Sequence, residues 1–256
     1  MPDLITTINP TNGQELATYE ILDESTVEKK LKQARKAFEA WRTLPFPKRA
    51  VVLKNIAKEL RKENEQLAML ATLEMGKPIQ QSRDEVEKCA KTLEFYAKEG
   101  AKFLSNVVVE TDARKSYVTY QPLGVVLAIM PWNFPYWQVF RAFAPTVMAG
   151  NVVVLKHASN VCACALAIER VIVNTGAPKG LLQTLILPAS RIEKLIDDPA
   201  IAAVTLTGST AAGSKVAEAA GRNLKKQVLE LGGSDAYVIL EDADMDIAVE
   251  IAVRGD

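Results

Sequence analysis

The stretch Thr205-Leu206-Thr207-Gly208-Ser209-Thr210-Ala211-Ala212-Gly213 decides the fold of this chain. A run of strand-forming residues leads into Gly208, and a helix-forming segment that opens with Ser209 follows it. The free amides at the start of such a helix favour a bound phosphate. Gly208 lets the backbone approach a dinucleotide, Ser209 offers a hydroxyl, and Gly213 permits close packing of helix on strand. The pattern predicts a strand-turn-helix unit that binds a dinucleotide.

The same turn has a simpler interpretation. Its two glycines lie five residues apart, which is not the spacing of the G-x-G-x-x-G fingerprint. Taken alone, a Gly-Ser-Thr turn is more often a tight connection in which glycine serves only the backbone geometry. The rest of the chain has to decide between the two interpretations.

Short apolar runs lie on both sides of this turn and are separated mostly by segments of helical length. Such runs are typical of parallel strands that are buried on both faces. Residues 123–256 are therefore predicted to form a Rossmann-like, doubly wound parallel sheet, which makes the chain an α/β protein. The predicted strands are residues 124–130, 151–155, 181–187, 204–207 and 236–240.

The preceding residues divide into two further parts. Residues 1–106 are predicted to be the helical amino-terminal part of the cofactor domain, after a short extended lead. Glu24-Ser25-Thr26 offers capping chemistry for the first helix, and Gly76-Lys77-Pro78 ends the second. Residues 107–122 are predicted to be a two-stranded ribbon with a polar turn. The predicted helices cover residues 27–41, 48–74 and 79–104.

Composition excludes several classes of partner. The 256 residues are 48% hydrophobic and 24% charged, which is ordinary for a globular protein, and 31 basic residues balance 31 acidic ones. We expect no nucleic acid or membrane partner, because zero net charge lacks the electrostatic footprint of either and no apolar run reaches the ~20 residues of a bilayer span. Three unevenly placed cysteines and no signal peptide indicate a cytoplasmic protein.

A cation and a hydroxyl follow the apolar run 152–155. Lys156 can bind the adenosine ribose of a cofactor, and Ser159 leaves room and a donor where an acidic residue would repel a 2′-phosphate. A solvated lysine at a strand end is an equally good interpretation of Lys156 alone. His157 is the only histidine, so a histidine dyad or multi-histidine metal site is not expected, and we interpret His157 as structural or peripheral.

Two further motifs complete a set of four. Pro131-Trp132-Asn133-Phe134-Pro135 precedes the lysine segment, and Leu229-Glu230-Leu231-Gly232-Gly233-Ser234 follows the glycine turn. In this order and spacing, the four motifs resemble the amino-terminal half to two-thirds of an NAD(P)-dependent aldehyde dehydrogenase. Bacterial succinate-semialdehyde dehydrogenases are the most similar branch. The resemblance covers essentially the whole chain and implies NAD or NADP as the cofactor, a small aldehyde as substrate, and a homo-oligomer in the full-length protein.

The resemblance implies two catalytic residues. Asn133 matches the side-chain amide that stabilises the oxyanion, because a neutral donor favours developing negative charge without proton transfer. Glu230 matches the general base that activates water, and its apolar neighbours suit a carboxylate with that task. Taken locally, Asn133 also fits an Asx turn between prolines, and Glu230 also fits a solvent-facing strand end.

Substrate and cofactor contacts are implied in the same way. Arg141 resembles the arginine that holds the distal carboxylate of succinate semialdehyde, although a helix-surface salt bridge is an equal alternative. Trp137 is a candidate for the wall of an aldehyde tunnel, although large aromatic side chains more often simply pack. The implied cofactor-binding residues are Trp132, Lys156, Ser159, Gly208, Ser209, Gly213, Leu231 and Gly232.

No cysteine of the chain suits the role of nucleophile. Cys162 and Cys164 lie in an apolar segment and are expected to pack as small hydrophobes, and Cys89 lies in a charged helix. The resemblance places the catalytic thiol beyond Asp256, so we expect its domain to be absent and the chain to be inactive alone. The alternative is a non-catalytic nucleotide-binding or oligomerisation module. An unrelated Rossmann reductase is disfavoured, because no Tyr-x-x-x-Lys pattern accompanies the turn.

Overall fold

The amino-terminal part of the molecule is a hairpin followed by four helices. The computed structural model describes residues 3–254. In chain order the elements are β1 (Leu4–Ile8), β2 (Glu15–Glu20), α1 (Glu24–Trp41), α2 (Phe46–Lys62), α3 (Asn64–Met75) and α4 (Ile79–Phe103). β1 and β2 pair antiparallel, and α2 and α3 both pack on α4. The expected helical region is therefore present.

Two local expectations in this region were wrong. The cap of α1 is Asp23, whose carboxylate accepts the amide of Thr26 at 2.7 Å, and not a residue of Glu24-Ser25-Thr26. The predicted helix over 48–74 is two helices, which separate at Glu63 (φ −97°, ψ 10°). The apolar spacing continues through Glu63 because both segments bury their stripes against α4, so periodicity alone does not show the break.

The ribbon is confirmed. β3 (Val107–Val109) and β4 (Ser116–Val118) pair antiparallel with Val108 opposite Tyr117. These strands lie outside the main sheet, and their valine and tyrosine side chains are exposed. The ribbon is thus an apolar arm with unpaired edges.

The remaining elements form the predicted doubly wound sheet. The strands are β5 (Val125–Met130), β6 (Val152–His157), β7 (Leu182–Thr184), β8 (Ile201–Thr207) and β9 (Lys226–Glu230). The helices are α5 (Trp137–Met148), α6 (Cys162–Asn174), α7 (Ile192–Asp197), α8 (Thr210–Arg222) and α9 (Met245–Arg254). All five strands are parallel, in the order β7-β6-β5-β8-β9. Continuous burial explains why β5 and β6 are apolar runs without alternation.

The strand order places a topological switch between β5 and β8. The chain runs outward from β5 through β6 to β7, then returns to the other side of β5 as β8 and β9. Because crossovers are right-handed, α5 and α6 cover one face of the sheet, and α7 and α8 cover the other. Ligands of open α/β sheets bind where the loops diverge at such a switch, at the carboxyl ends of the strands.

One predicted strand is absent and one observed strand was not predicted. Residues 236–240 are irregular and exposed, and no described strand pairs with them, so apolar composition alone does not make them a strand. The fifth strand is instead β9, Lys226-Gln227-Val228-Leu229-Glu230, an exposed edge strand whose polar composition carries no buried-strand signal.

Two negative findings complete the description. Between residues 3 and 254, no helix combines the length and apolar character needed to cross a membrane. Over the same residues, no three side chains of the types that bind metals come together.

Candidate functional site

Four of the predicted site segments meet at the carboxyl ends of the strands. The Asn133 segment follows β5, the Lys156 segment ends β6, the Gly208 turn follows β8, and Glu230 ends β9. Since the strands are parallel and neighbouring, their carboxyl ends form one rim at the switch point. The sheet therefore brings together residues that lie nearly one hundred positions apart in the sequence.

A buried carboxylate of α4 binds the backbone just after the Asn133 segment. Glu85 of α4 accepts hydrogen bonds from the backbone amides of Tyr136 and Trp137, both at 2.8 Å, at the start of α5. Its other oxygen pairs with Lys77, which is also buried. Carboxylates are favoured at a helix amino terminus, so Glu85 fixes where α5 begins. Asn133 itself is exposed at the rim.

Lys77 gives the segment a second contact. Its ammonium lies 3.7 Å from the ring centre of Phe134, the residue next to Asn133. The motif Gly76-Lys77-Pro78 predicts only a helix end, and no motif of the sequence marks Glu85. A usable signal was present, because Glu85 lies among the buried positions of an amphipathic helix, where an unpaired carboxylate would be costly.

His157 makes a third contact, from the neighbouring loop. Its Nε2 lies 2.8 Å from the carbonyl oxygen of Pro135, and its Nδ1 accepts the amide of Ala158 at 2.9 Å. Burial lowers the pKa of His157 from 6.5 to about 4, so the ring is neutral at neutral pH. Both ring nitrogens of His157 thus make hydrogen bonds within the fold, and the residue lies at the centre of the site and not at its periphery.

Lys156 is buried at the end of β6, yet no hydrogen bond or ion pair within residues 3–254 involves its ammonium. Burial lowers the pKa of this lysine. The stem of the side chain is packed while the ammonium keeps contact with solvent, so the solvated lysine at a strand end stays an alternative. Ser159 is exposed just beyond it, at the start of a short 3-10 turn that leads into α6.

A second buried glutamate supports this loop. Glu74 of α3 accepts the amides of Ala163 and Cys164, each at 2.9 Å, at the start of α6. Burial raises the pKa of Glu74. Glu74 and Glu85 thus attach the amino-terminal helices to the starts of α6 and α5, and neither residue lies in a motif that predicts this contact.

The Gly208 turn has the expected geometry with one addition. Ser209 caps α8, and its Oγ accepts the amide of Ala212 at 3.3 Å, which leaves the hydroxyl proton available. A Cβ atom at Gly213 would collide with the Leu231 side chain. The close approach expected at Gly213 is therefore real, although the partner is a side chain of the segment after β9. Gly232, the residue after Leu231, is exposed.

Glu230 and Arg141 contact each other. The Glu230 backbone carbonyl accepts the Gly208 amide at 3.0 Å, which ties the end of β9 to the turn. Its carboxylate lies 3.4 Å from the Arg141 guanidinium, which also donates to Thr207 at 3.1 Å. The salt-bridge alternative for Arg141 is thus the arrangement observed. Because both groups are partly exposed, the pair contributes only about 0–1 kcal/mol and is easily exchanged.

The two tryptophans of the predicted site, Trp132 and Trp137, have different surroundings. Trp132 is half exposed at the rim. Trp137 is partly buried against the core, and the Lys88 ammonium lies 4.3 Å from its ring centre. Trp137 therefore packs between α5 and α4, as the simpler interpretation expects, and Trp132 is the tryptophan available to a ligand.

An apolar cleft not identified from the sequence opens on the α7 and α8 face. Its volume is about 370 Å³. Ile129 and Leu206 form its floor at the ends of β5 and β8, and Ile192, Val216 and Ala219 belong to the flanking helices. Its lining residues come from β5, β8, α7, α8 and the turn before α7, so only the fold reveals it.

All three cysteines are buried. Burial raises the pKa of Cys162 to about 12, and the pKa values of Cys89 and Cys164 are also raised. Since the thiolate is the nucleophilic form, none of these thiols suits covalent chemistry.

The fold and site together define a Rossmann-type dinucleotide-binding unit, and comparison with known proteins identifies the family. The chain belongs to the aldehyde dehydrogenase family, whose model matches residues 2–256.

Individual relatives agree. The chain is 49% identical over 249 residues to the probable succinate-semialdehyde dehydrogenase (NADP+) of Synechocystis sp., and the match covers 97% of this chain and 55% of that protein. The crystal structure of succinic semialdehyde dehydrogenase from Streptococcus pyogenes with NADP+ superposes with a TM-score of 0.91 at 37% identity, covering 94% of this chain and 53% of that one. The structure of PnpE with nicotinamide adenine dinucleotide gives 0.91 at 30% identity, covering 98% and 52%. The chain thus spans about half the length of these relatives.

Proposed function

We propose that this chain is the cofactor-binding part of an NAD(P)-dependent aldehyde dehydrogenase, with NADP+ preferred and succinate semialdehyde as the substrate. The single observation that carries the proposal is Lys156, whose side chain is largely buried at the carboxyl end of β6 while its ammonium makes no hydrogen bond or ion pair within residues 3–254 and keeps contact with solvent. Buried charges in proteins are nearly always paired. A lysine held this way at the switch point is suited to an anionic ligand.

The surroundings of Lys156 fit a dinucleotide with a 2′-phosphate. Ser159 supplies a neutral hydroxyl beside the lysine and no carboxylate that would repel the phosphate. The cleft between α7 and α8 is apolar and large enough for an adenine ring. The amino terminus of α8, with the Ser209 hydroxyl and close packing at Gly213 and Leu231, suits the pyrophosphate. Named relatives that use or bind NADP+ support this preference.

When bound, the cofactor supplies the acceptor for hydride, with Trp132 and Gly232 proposed as further contacts. Asn133 is proposed to donate its side-chain amide to the oxygen of the tetrahedral adduct, and its exposed position on a segment anchored by Glu85 suits that task. Glu230 is proposed as the general base toward water. Its exposure at the end of β9 leaves its carboxylate accessible.

Arg141 is proposed to bind the distal carboxylate of the substrate. It already holds the Glu230 carboxylate in a weak, partly exposed pair, so a substrate carboxylate can take the same place. The exchange would release Glu230 for its role as base. Trp137 is proposed as packing support for α5, and its role as a tunnel wall stays a prediction.

We further propose that the 256 residues bind cofactor but do not oxidise aldehyde alone, because the three cysteines are buried and their pKa values are raised. A cytoplasmic location agrees with three unpaired thiols. In the full-length protein we propose that the apolar β3–β4 ribbon forms a homo-oligomeric contact. The alternative, a non-catalytic nucleotide-binding or oligomerisation module, predicts the same binding without catalysis in any longer form.

Calorimetric titration of the 256-residue chain with NADP+ and NAD+ tests the cofactor assignment. We expect tighter binding of NADP+, and Lys156→Met should weaken it roughly 10- to 100-fold, because a charge-assisted hydrogen bond is worth about 1.5–3 kcal/mol. NAD+ binding should change much less. Lys36→Met, at an exposed position of α1, is the matched control and should bind as the wild type does.

Two results would contradict the proposed function. Equal NADP+ affinity in Lys156→Met and Lys36→Met would refute the role of Lys156. For the catalytic part, aldehyde-dependent NADPH formation by the 256 residues alone would refute the claim that they lack a nucleophile. Aldehyde dehydrogenase activity is expected in a longer protein that includes the thiol. Loss of that activity in the Glu230→Gln variant of the longer protein would favour the enzyme over the alternative of a non-catalytic module.

A further inference from the structure

His157 occupies the last position of β6, between two loops of the site. Lys156 precedes it, and Ser159 follows two residues later. Its ring is buried and contacts the Asn133 segment through Pro135. The residue therefore touches both the loop proposed to hold the cofactor and the segment proposed to hold the oxyanion.

The hydrogen bonds define the state of the ring. Nδ1 accepts the backbone amide of Ala158, so it carries no proton. In a neutral imidazole the proton then resides on Nε2, which donates to the Pro135 carbonyl at 2.8 Å. Both ring nitrogens are satisfied, and Leu at this position would leave the buried Pro135 carbonyl without its donor.

Strand geometry separates the two side chains. Lys156 is in register with Ile129, and His157 is in register with Met130. Successive side chains of a strand point to opposite faces, so Lys156 shares the face of Ile129, which lines the α7–α8 cleft. His157 points to the face that carries α5. One short backbone segment thus directs a cation toward the cofactor side and a donor toward the Asn133 side.

The Asn133 segment is fixed on its far side as well. Glu85 holds the amides of Tyr136 and Trp137, immediately after the carbonyl that His157 contacts. One end of the segment is anchored to α4. A small displacement of His157 therefore changes the backbone between Pro131 and Pro135, where Asn133 lies.

We propose that His157 is a positioning residue that couples cofactor binding at Lys156 and Ser159 to the placement of Asn133. The inference rests on the proposed function, because it requires NADP+ at Lys156. A ligand that draws Lys156 toward the cleft moves the end of β6, and the Nε2–Pro135 hydrogen bond transmits that movement to the Asn133 segment. The oxyanion donor is thereby ordered when the cofactor is present.

The test uses two readouts on the 256-residue chain with NADP+ as the probe. His157 is the only histidine, so its ring nitrogens are identified directly in a ¹⁵N spectrum of the wild type. We expect the neutral Nε2–H form with and without NADP+, and a shift of the Nε2 proton on binding. Hydrogen exchange of residues 131–138 should slow at least about threefold when NADP+ binds.

Two variants separate coupling from simple packing. His157→Leu should bind NADP+ roughly 3- to 10-fold more weakly and lose the NADP+-dependent protection of 131–138, because one hydrogen bond is removed. His157→Gln keeps a donor at the position of Nε2 and should restore both properties.

Three results would overturn the coupling. The first is a wild-type chain that binds NADP+ but shows unchanged hydrogen exchange over residues 131–138. This result needs no variant, so it decides the question even if His157→Leu fails to fold. Wild-type NADP+ affinity and protection in a folded His157→Leu chain does so as well, since a structural role would lower only the melting temperature. Absence of NADP+ binding by the wild type would refute the proposed function itself, and the coupling with it.

Discussion

Replacing Glu85 by glutamine tests whether the amino-terminal helices hold the Asn133 segment. The carboxylate pairs with Lys77, and both side chains are at most 4% exposed. It also accepts two amides at the start of α5. Glutamine keeps the volume but leaves the Lys77 ammonium buried without a counter-charge. Breaking one partner of a buried pair costs about 3–5 kcal/mol, so Glu85→Gln should lose that much unfolding free energy.

Urea denaturation followed by tryptophan fluorescence measures the loss. The matched control is Glu65→Gln, which removes an exposed carboxylate from a pair with Arg83 and should cost less than about 1 kcal/mol. Lys77→Met/Glu85→Gln should be more stable than the sum of the single changes predicts, by about 1–3 kcal/mol, because no unpaired charge remains. Equal losses in Glu85→Gln and Glu65→Gln, or strictly additive single losses, would refute the reasoning.

Three further predictions concern pH and the rim. The pKa of His157 is lowered from 6.5 to about 4, so its contribution to the free energy of unfolding is complete above pH 6.5 and disappears as the pH falls toward 4. Urea titrations at several pH values should show that the wild type loses about 3 kcal/mol of unfolding free energy over this range and that His157→Leu does not. The same pH profile in both chains would contradict this. Gly213→Val should displace the exposed Leu231 side chain at a cost below about 1 kcal/mol in thermal unfolding and weaken NADP+ binding, and unchanged NADP+ affinity would show that this contact plays no part in the cofactor site. Arg141→Met should change stability by less than about 1 kcal/mol, because its pair with Glu230 is partly exposed. In a longer, active protein, Arg141→Met should raise KM for succinate semialdehyde roughly tenfold more than for an uncharged aldehyde, and equal effects on the two substrates would argue against a carboxylate contact.

The fold was largely predictable because its strongest signals are local. The apolar runs at β5 and β6 are buried on both faces and β8 is mostly buried, so their composition alone indicates strands. The edge strand β9 was missed, since an exposed strand needs no apolar composition. Residues 236–240 were misassigned for the converse reason, because apolar composition does not provide a pairing partner.

The candidate site was predictable where a motif carries its own chemistry, and not where a contact crosses the fold. Asn133, Lys156 and Glu230 lie in recognisable motifs, and the sheet brings their segments to one rim. Glu85 of α4 and Lys77, in the connection between α3 and α4, act from more than fifty residues upstream of α5. Their roles depend on packing that no short motif encodes.

The sequence by itself determined the α/β class, the turn at Gly208 and Ser209, and the family resemblance, because strand propensity, glycine and capping chemistry act over a few neighbouring residues. Only the tertiary structure decided that Lys156 is buried without a partner, that Arg141 pairs with Glu230, and that His157 bridges two loops. Burial and long-range hydrogen bonds are properties of the packed chain, and they turn a set of motifs into one candidate site.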